Sequence, residues 1–140
     1  MQSIFSMYEK RLYEQVINSI DLPNFSAASD PLVARIIAAS QFQLGQYPES
    51  LRLLKEIESC FLTDLDYLSL YGACLRRCGD FEEARLQLEQ ALKIKPNHRA
   101  TRNNYANLLI DLGDYQQAES ILSQLLRDDP EYSDAQINLQ

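Results

Sequence analysis

Apart from isoleucine, the sequence is poor in the β-branched residues that favour β-sheet structure. Its 140 residues include two valines, two threonines and no tryptophan, against 22 leucines. Side chains branched at Cβ favour strands, whereas leucine, alanine, glutamine, glutamate and arginine lose little rotamer freedom in a helix. We therefore predict an all-α fold.

Charge and cysteine content exclude several classes of protein. The chain has 13 Lys and Arg against 20 Asp and Glu, a net charge of −7, which is unsuited to general nucleic-acid binding. No apolar run is long enough to span a bilayer, and the first ten residues lack the pattern of a secretory signal. The three cysteines Cys60, Cys74 and Cys78 are too few for a disulfide framework. We expect a cytoplasmic protein with no membrane or nucleic-acid partner.

Residues suited to catalysis or metal binding are scarce. The only histidine, His98, follows Pro96 and Asn97, and we interpret it as an exposed turn residue. Cys74 and Cys78 are four residues apart, but the chain offers no further zinc ligands at motif spacing. The sequence also lacks a phosphate-binding glycine loop and a Gly-x-Ser-x-Gly motif. We predict no enzymatic activity, no cofactor and no metal.

The most informative feature is an internal repeat with a period of 34 residues. Gly45, Gly79 and Gly113 occupy the same repeat position, and residues 65–98 and 99–132 share nine identities in 34 positions. Three further sets align at this period: the aromatics Tyr47, Phe81 and Tyr115, the small residues Ser50, Ala84 and Ala118, and the leucines Leu54, Leu88 and Leu122. This regularity indicates stacked copies of one structural unit.

Each copy has the pattern of two helices joined by a tight turn. Apolar residues recur at helical spacing on both sides of Gly113, a residue type that ends helices in the left-handed conformation. Asp114 is placed to cap the second helix, and Pro48 falls in the opening turn of the equivalent helix two copies earlier. Ser29 or Asp30 before Pro31 predicts a helix start.

This pattern resembles the tetratricopeptide repeat family, whose consensus has Leu-Gly, Tyr, Ala, an aromatic and a closing Pro at the same period. The resemblance covers about residues 31–132 and implies a right-handed α-solenoid. The first copy departs from it with Ser50 for Ala, Gln41 for Leu and no closing Pro. The predicted organisation is an N-terminal helix and linker over 1–29, three repeats over 30–64, 65–98 and 99–132, and the start of a truncated helix over 133–140.

Both ends of the chain depart from the repeat pattern. We predict one amphipathic helix over residues 3–20, which could be a degenerate repeat or an N-terminal cap. The sequence stops within the first helix of a further repeat and has no polar cap, which a solenoid needs at its end. We therefore expect a fragment of a longer protein.

The resemblance implies a peptide-binding groove lined by the first helix of each repeat. The repeat register places the following candidate groove residues: Arg35, Ile36, Phe42, Leu70, Arg76, Arg77, Asn103, Asn104, Asn107 and Asn138. A Lys/Asn/Asn/Lys/Arg clamp for a peptide carboxylate, known in chaperone-binding members, is rejected. Its positions hold Arg35, Ala39, Leu70, Ala100 and Asn104.

The asparagines suggest a second mode of binding. The run from Asn103 to Leu108 is similar to the asparagine ladder of the O-GlcNAc transferase solenoid, and Asn138 repeats Asn104 one period later. A side-chain amide can both donate to and accept from a peptide backbone. The alternative is that Asn104 only satisfies neighbouring backbone or water.

We interpret the chain as a non-catalytic scaffold or adaptor module that binds an extended peptide. Arg35, Arg76 and Arg77, with apolar residues between them, predict an acidic and apolar partner, unless these arginines pair with acids such as Asp66 or Glu82. Two other hypotheses remain open: the N-terminal part of a larger glycosyl- or sulfotransferase-like enzyme, and a self-association domain that forms a homodimer through its C-terminal end.

Overall fold

The computed structural model describes residues 3–132, which contain eight α-helices and no strand. The helices are α1 (Ile4–Glu9), α2 (Tyr13–Asn18), α3 (Pro31–Gln43), α4 (Tyr47–Glu56), α5 (Leu65–Arg77), α6 (Phe81–Ile94), α7 (Arg99–Asp111) and α8 (Tyr115–Asp128). Short 3-10 turns lie at Leu22–Asn24 and Glu58–Cys60. The predicted all-α class is confirmed. The further helix predicted over 133–140 lies outside the described residues.

The chain forms two compact units, one ending at Leu62 and the other beginning at Thr63. The first unit contains α1 to α4 and the second contains α5 to α8. Across residues 3–132, every helix is too short or too polar to cross a membrane.

Aspartates begin four of the helices. The side chains of Asp30, Asp64, Asp80 and Asp114 each accept a hydrogen bond from the backbone N–H three residues later. This satisfies an N–H that the first turn leaves unpaired and places negative charge at the positive end of the helix dipole. The cap predicted at Asp114 is confirmed, and of the two helix starts considered before Pro31 the structure uses Asp30.

The turn inside each repeat has a fixed backbone geometry. Gly45, Gly79 and Gly113 have φ values of 80°, 85° and 85°. Each glycine N–H donates to the carbonyl three residues earlier, and the next N–H donates to the carbonyl five residues earlier. This is a Schellman motif, which favours glycine at its left-handed position.

The single helix predicted over residues 3–20 is wrong, because α1 ends at Glu9 and α2 begins at Tyr13. Arg11, between them, has a φ of 60° and lies 34 residues before Gly45. Its N–H bonds the Tyr8 carbonyl, and the Leu12 N–H bonds the Met7 carbonyl, as in the three glycine turns. Of the two interpretations left open, this shared geometry favours a degenerate repeat.

We predict that Arg11→Gly stabilises the protein by about 0.5–1 kcal/mol. A left-handed conformation costs a residue with a Cβ about 1–2 kcal/mol, and glycine's greater loss of chain entropy offsets roughly half of that gain. Urea denaturation measures the change. Arg11→Ala, which removes the same side chain but keeps a Cβ, should not stabilise the protein, and an equal gain in both variants would contradict this explanation.

The second unit packs its repeats through small residues opposite leucines. A Cβ added to Gly72 would lie 2.6 Å from Cγ of Leu88, so α5 and α6 approach closely at that point. Between α7 and α8, the fully buried residues Ala106, Leu109, Ala118, Leu122 and Leu125 form one cluster. Small residues at the repeat positions therefore allow the two helices of each repeat in this unit to pack closely.

Two polar residues of the first unit depart from the repeat pattern, and only one of them has its hydrogen bond satisfied. Ser50, where the other copies have alanine, is buried and its hydroxyl donates to the Ala38 carbonyl at 2.7 Å. Gln41, where the other copies have leucine, is 4% exposed. Its Oε1 accepts no hydrogen bond from any described residue, so a polar atom is buried at a cost in stability.

Candidate functional site

The first helices of the two repeats in the second unit, α5 and α7, are joined by polar contacts. The Ser69 and Thr101 hydroxyls lie 2.5 Å apart, the Asn104 Nδ2 donates to the Ser69 carbonyl at 3.1 Å, and the Arg76 Nε donates to Asp111 Oδ2 at 2.5 Å. Beside these contacts lies a partly solvent-accessible surface. We call it the α5–α7 face and define it by Leu70, Arg76, Arg77, Asn104, Asn107 and Asp111.

Asn104 is oriented by the preceding repeat. Because the Ser69 carbonyl can only accept, the amide nitrogen of Asn104 must face it, and Oδ1 points elsewhere. The alternative to peptide binding was that Asn104 only satisfies neighbouring backbone, and the amide nitrogen does make such a hydrogen bond. The oxygen accepts no hydrogen bond within residues 3–132, and it is not buried. It can accept a hydrogen bond from a ligand.

Asn107 lies one turn further along α7 and is half-buried. Its amide makes no hydrogen bond to the described residues, and neither polar atom is enclosed. Leu70 on α5 is also half-buried and adds apolar surface. Asn103, the third asparagine of the predicted ladder, is only 6% exposed, so the face relies on Asn104 and Asn107.

Arg76 pairs with an acid other than the two candidates that the sequence analysis named. Its partner is Asp111 of the next repeat, and neither Asp66 nor Glu82 contacts it. The two side chains are 18% and 30% exposed. Neighbouring Arg77 is exposed. Two guanidinium groups and one carboxylate therefore lie at the C-terminal ends of α5 and α7.

The predicted groove residues of the first unit lie on α3. The Arg35 guanidinium lies 4.8 Å from the centre of the Phe61 ring, a cation–π contact. The Phe42 ring packs edge-on against Tyr47, with 5.1 Å between ring centres, and Ile36 is half-buried. Asn138 lies outside the described residues.

His98 is not the exposed turn residue that the sequence predicts. Its side chain is 18% exposed, and Nδ1 accepts from the Thr101 N–H, which caps α7. Nδ1 also lies 2.7 Å from the Thr101 hydroxyl, and Nε2 lies 3.5 Å from Asp66 Oδ1. The ring therefore joins the start of α7 to α5. This structural role explains why the side chain is largely buried.

The described residues show no arrangement typical of catalysis. No group of three or more His, Cys, Asp or Glu side chains within residues 3–132 could hold a metal ion. Burial, followed by the nearby carboxylate of Glu89, raises the pKa of the Tyr105 phenol, so this group stays neutral at ordinary pH. Neutral Tyr105 packs against the buried cluster between α7 and α8.

A cavity of about 350 Å³ lies at the other end of α7, lined by Lys95, Asn97, His98, Arg99, Ala100 and Tyr132. Arg99 pairs with Asp129 and lies 5.8 Å from the centre of the Tyr132 ring, and His98 caps the helix. These contacts account for the histidine, the arginine and the tyrosine as parts of the junction between repeats.

The repeat register also places Ser69 and Asp111 on the groove side, but sequence reasoning did not predict their contacts or that of Thr101, although one signal for them exists. Asp111 follows Arg76 by 35 residues, close to one repeat, and side chains at that separation lie opposite each other on consecutive first helices. Opposite charges or paired hydroxyls about one period apart are thus a pattern worth searching for in repeat sequences.

Comparisons with known proteins agree with the repeat pattern. Residues 75–140 match the sequence model of the family described as tetratricopeptide repeat. No curated protein matches the chain. Among solved structures, the "MamA RS-1 ArsTM double mutant" is 26% identical, with a TM-score of 0.62, 76% of this chain covered and 60% of that chain. This chain therefore spans less than two thirds of the MamA chain.

Two further structures share the fold at lower identity. TTC0263, described as a thermophilic TPR protein in Thermus thermophilus, is 22% identical, with a TM-score of 0.66 over 96% of this chain and 74% of that chain. YrrB, "a TPR protein with an unusual peptide-binding site", is 17% identical, with a TM-score of 0.68 over 96% and 67%. With the 34-residue pattern and the family match over residues 75–140, these likenesses show a helical solenoid fold of the tetratricopeptide repeat type.

Proposed function

We propose that the chain is a non-catalytic scaffold or adaptor module that binds an extended peptide on the α5–α7 face. The observation that carries the proposal is the pair of amides one turn apart on α7. The Asn104 Oδ1 and the whole Asn107 amide have no hydrogen-bond partner among the described residues, and both residues are half-buried. A peptide backbone supplies the donors and acceptors that such amides bind.

The surroundings of these amides fit a peptide with both apolar and acidic residues. Leu70 supplies accessible apolar surface, and the guanidinium groups of Arg76 and Arg77 lie beside Asp111 at one end of the face. Positive charge there favours encounter with acidic segments, although the chain as a whole carries a net charge of −7. YrrB, which shares this fold, is described as having a peptide-binding site.

The location of the chain in the cell and the larger protein to which it could belong are predicted from the sequence. Cys60, Cys74 and Cys78 form no disulfide within residues 3–132, and we propose a cytoplasmic location on that basis. The sequence also led to two alternative hypotheses. One is that the chain is part of a larger transferase-like enzyme, and the other is that it self-associates through its C-terminal end.

The test uses peptides selected from a random phage-displayed library on the wild-type chain. Asn107→Ala should weaken their binding about fivefold, because it removes about one net hydrogen bond. Fluorescence anisotropy of a labelled peptide measures the dissociation constant. Asn107 has no partner among the described residues, so the variant should unfold at the wild-type urea concentration.

The matched control is Gln90→Ala, which truncates an exposed amide on α6. We expect this variant to bind the peptide as the wild type does. If the library yields no binder, or if Asn107→Ala binds as tightly as Gln90→Ala, the α5–α7 face is not the binding surface.

A further inference from the structure

Arg76 breaks the repeat pattern at a place where the fold accepts apolar residues. The equivalent positions in the neighbouring copies are Phe42 and Ile110, both half-buried. Ile110 packs against the buried cluster between α7 and α8. Stacking of the repeats therefore does not require an arginine at this position.

The contact with Asp111 leaves half of that guanidinium available. Asp111 binds Nε, whereas Nη1 and Nη2 donate no hydrogen bond to any described residue. Neither nitrogen is a buried atom without a partner, and the Arg76 side chain as a whole is 18% exposed. Arginine can bind a carboxylate through two parallel N–H groups, and a guanidinium already held on one side loses less entropy when it does so.

Local charge favours an acidic ligand over a neutral one. Asp111 holds the Nε side of the Arg76 guanidinium, and Arg77 places a second guanidinium on the adjacent residue of α5. With a side chain that is only 18% exposed, Arg76 is screened by solvent less than a fully exposed arginine would be.

We infer that Arg76, held through its Nε by Asp111, selects an acidic side chain of the bound peptide through Nη1 and Nη2. This inference rests on the proposed function, since it assigns one specificity-determining residue to the same face. The ligand class is a peptide with a Glu or Asp next to the segment that binds Asn104 and Asn107.

The experiment is a double-mutant cycle between the protein and a phage-selected peptide. The peptide is made with its acidic residue as Glu and as Gln, and each form is titrated into the wild type and into Arg76→Ile. Isoleucine is the residue that the neighbouring copy has at this position, so the variant should remain folded. The wild type should prefer the Glu peptide by about tenfold, and Arg76→Ile should bind the two peptides equally.

Two further variants separate recognition from general charge. Arg85→Ile removes an exposed arginine of α6 and should keep the tenfold preference. Arg76→Lys keeps the charge but loses the paired N–H groups, so it should keep only part of the preference.

The inference is overturned if Arg76→Ile still prefers the Glu peptide, or if peptides selected on the wild type carry no acidic residue. In both cases the proposed function would still be supported if Asn107→Ala bound the selected peptides more weakly than the wild type does. A library that yields no binder overturns the two together.

Discussion

Replacing Gln41 with leucine is expected to raise the free energy of unfolding by about 1–3 kcal/mol. Gln41 is 4% exposed, and its Oε1 has no hydrogen-bond partner among the described residues. Leucine removes the buried oxygen and has a comparable helix propensity. The other repeats show that it fits, because Leu75 and Leu109 occupy the equivalent positions at 0% and 1% exposure.

Urea denaturation of Gln41→Leu measures this gain. The control is Gln43→Leu, an exposed position on the same helix, where a change within about 0.5 kcal/mol is expected. A loss of stability in Gln41→Leu would mean that the buried amide makes a stabilising contact, contrary to the structure.

The opposite effect is expected where two helices approach through small residues. Ala118 on α8 is 1% exposed and belongs to the cluster with Ala106 and Leu122. Ala118→Leu places three additional carbon atoms where there is no room for them. Overpacking should lower the free energy of unfolding by roughly 1–3 kcal/mol.

Gln117→Leu is the control, because Gln117 is the preceding residue of α8 and is exposed. Its midpoint in urea should stay close to that of the wild type. Equal and small shifts in both variants would contradict the packing of α8 against α7.

The sequence is most informative where structure depends on local chemistry. Asp114 and Gly113 specify a cap and a left-handed turn through their own side chain and backbone, so the turn could be placed from residue type alone. Arg11 adopts the same turn without glycine. Its identity gives no local signal, and the apolar residues around it continue the helical pattern, which is why one helix was predicted over residues 3–20.

The candidate site is less accessible to sequence reasoning, because it depends on contacts between helices. The repeat register identified Arg76, Asn103 and Asn104 as residues of the first helices. It could not show that Asp111 binds Arg76, that Ser69 orients Asn104, or that Asn103 is buried. Those properties follow from the distances between consecutive first helices, and they decide which groups remain available to a ligand.

The most direct measurement of the central claim is a proton–nitrogen NMR titration of the labelled chain with a phage-selected peptide. Side-chain amides give separate signals, so each asparagine and glutamine reports on its own surface. We predict that the Asn104 and Asn107 amide signals shift with saturating amplitude, while those of Gln90 on α6 and Gln117 on α8 stay in place. Shifts confined to α6 and α8, with the Asn104 and Asn107 signals unmoved, would contradict peptide binding on the α5–α7 face.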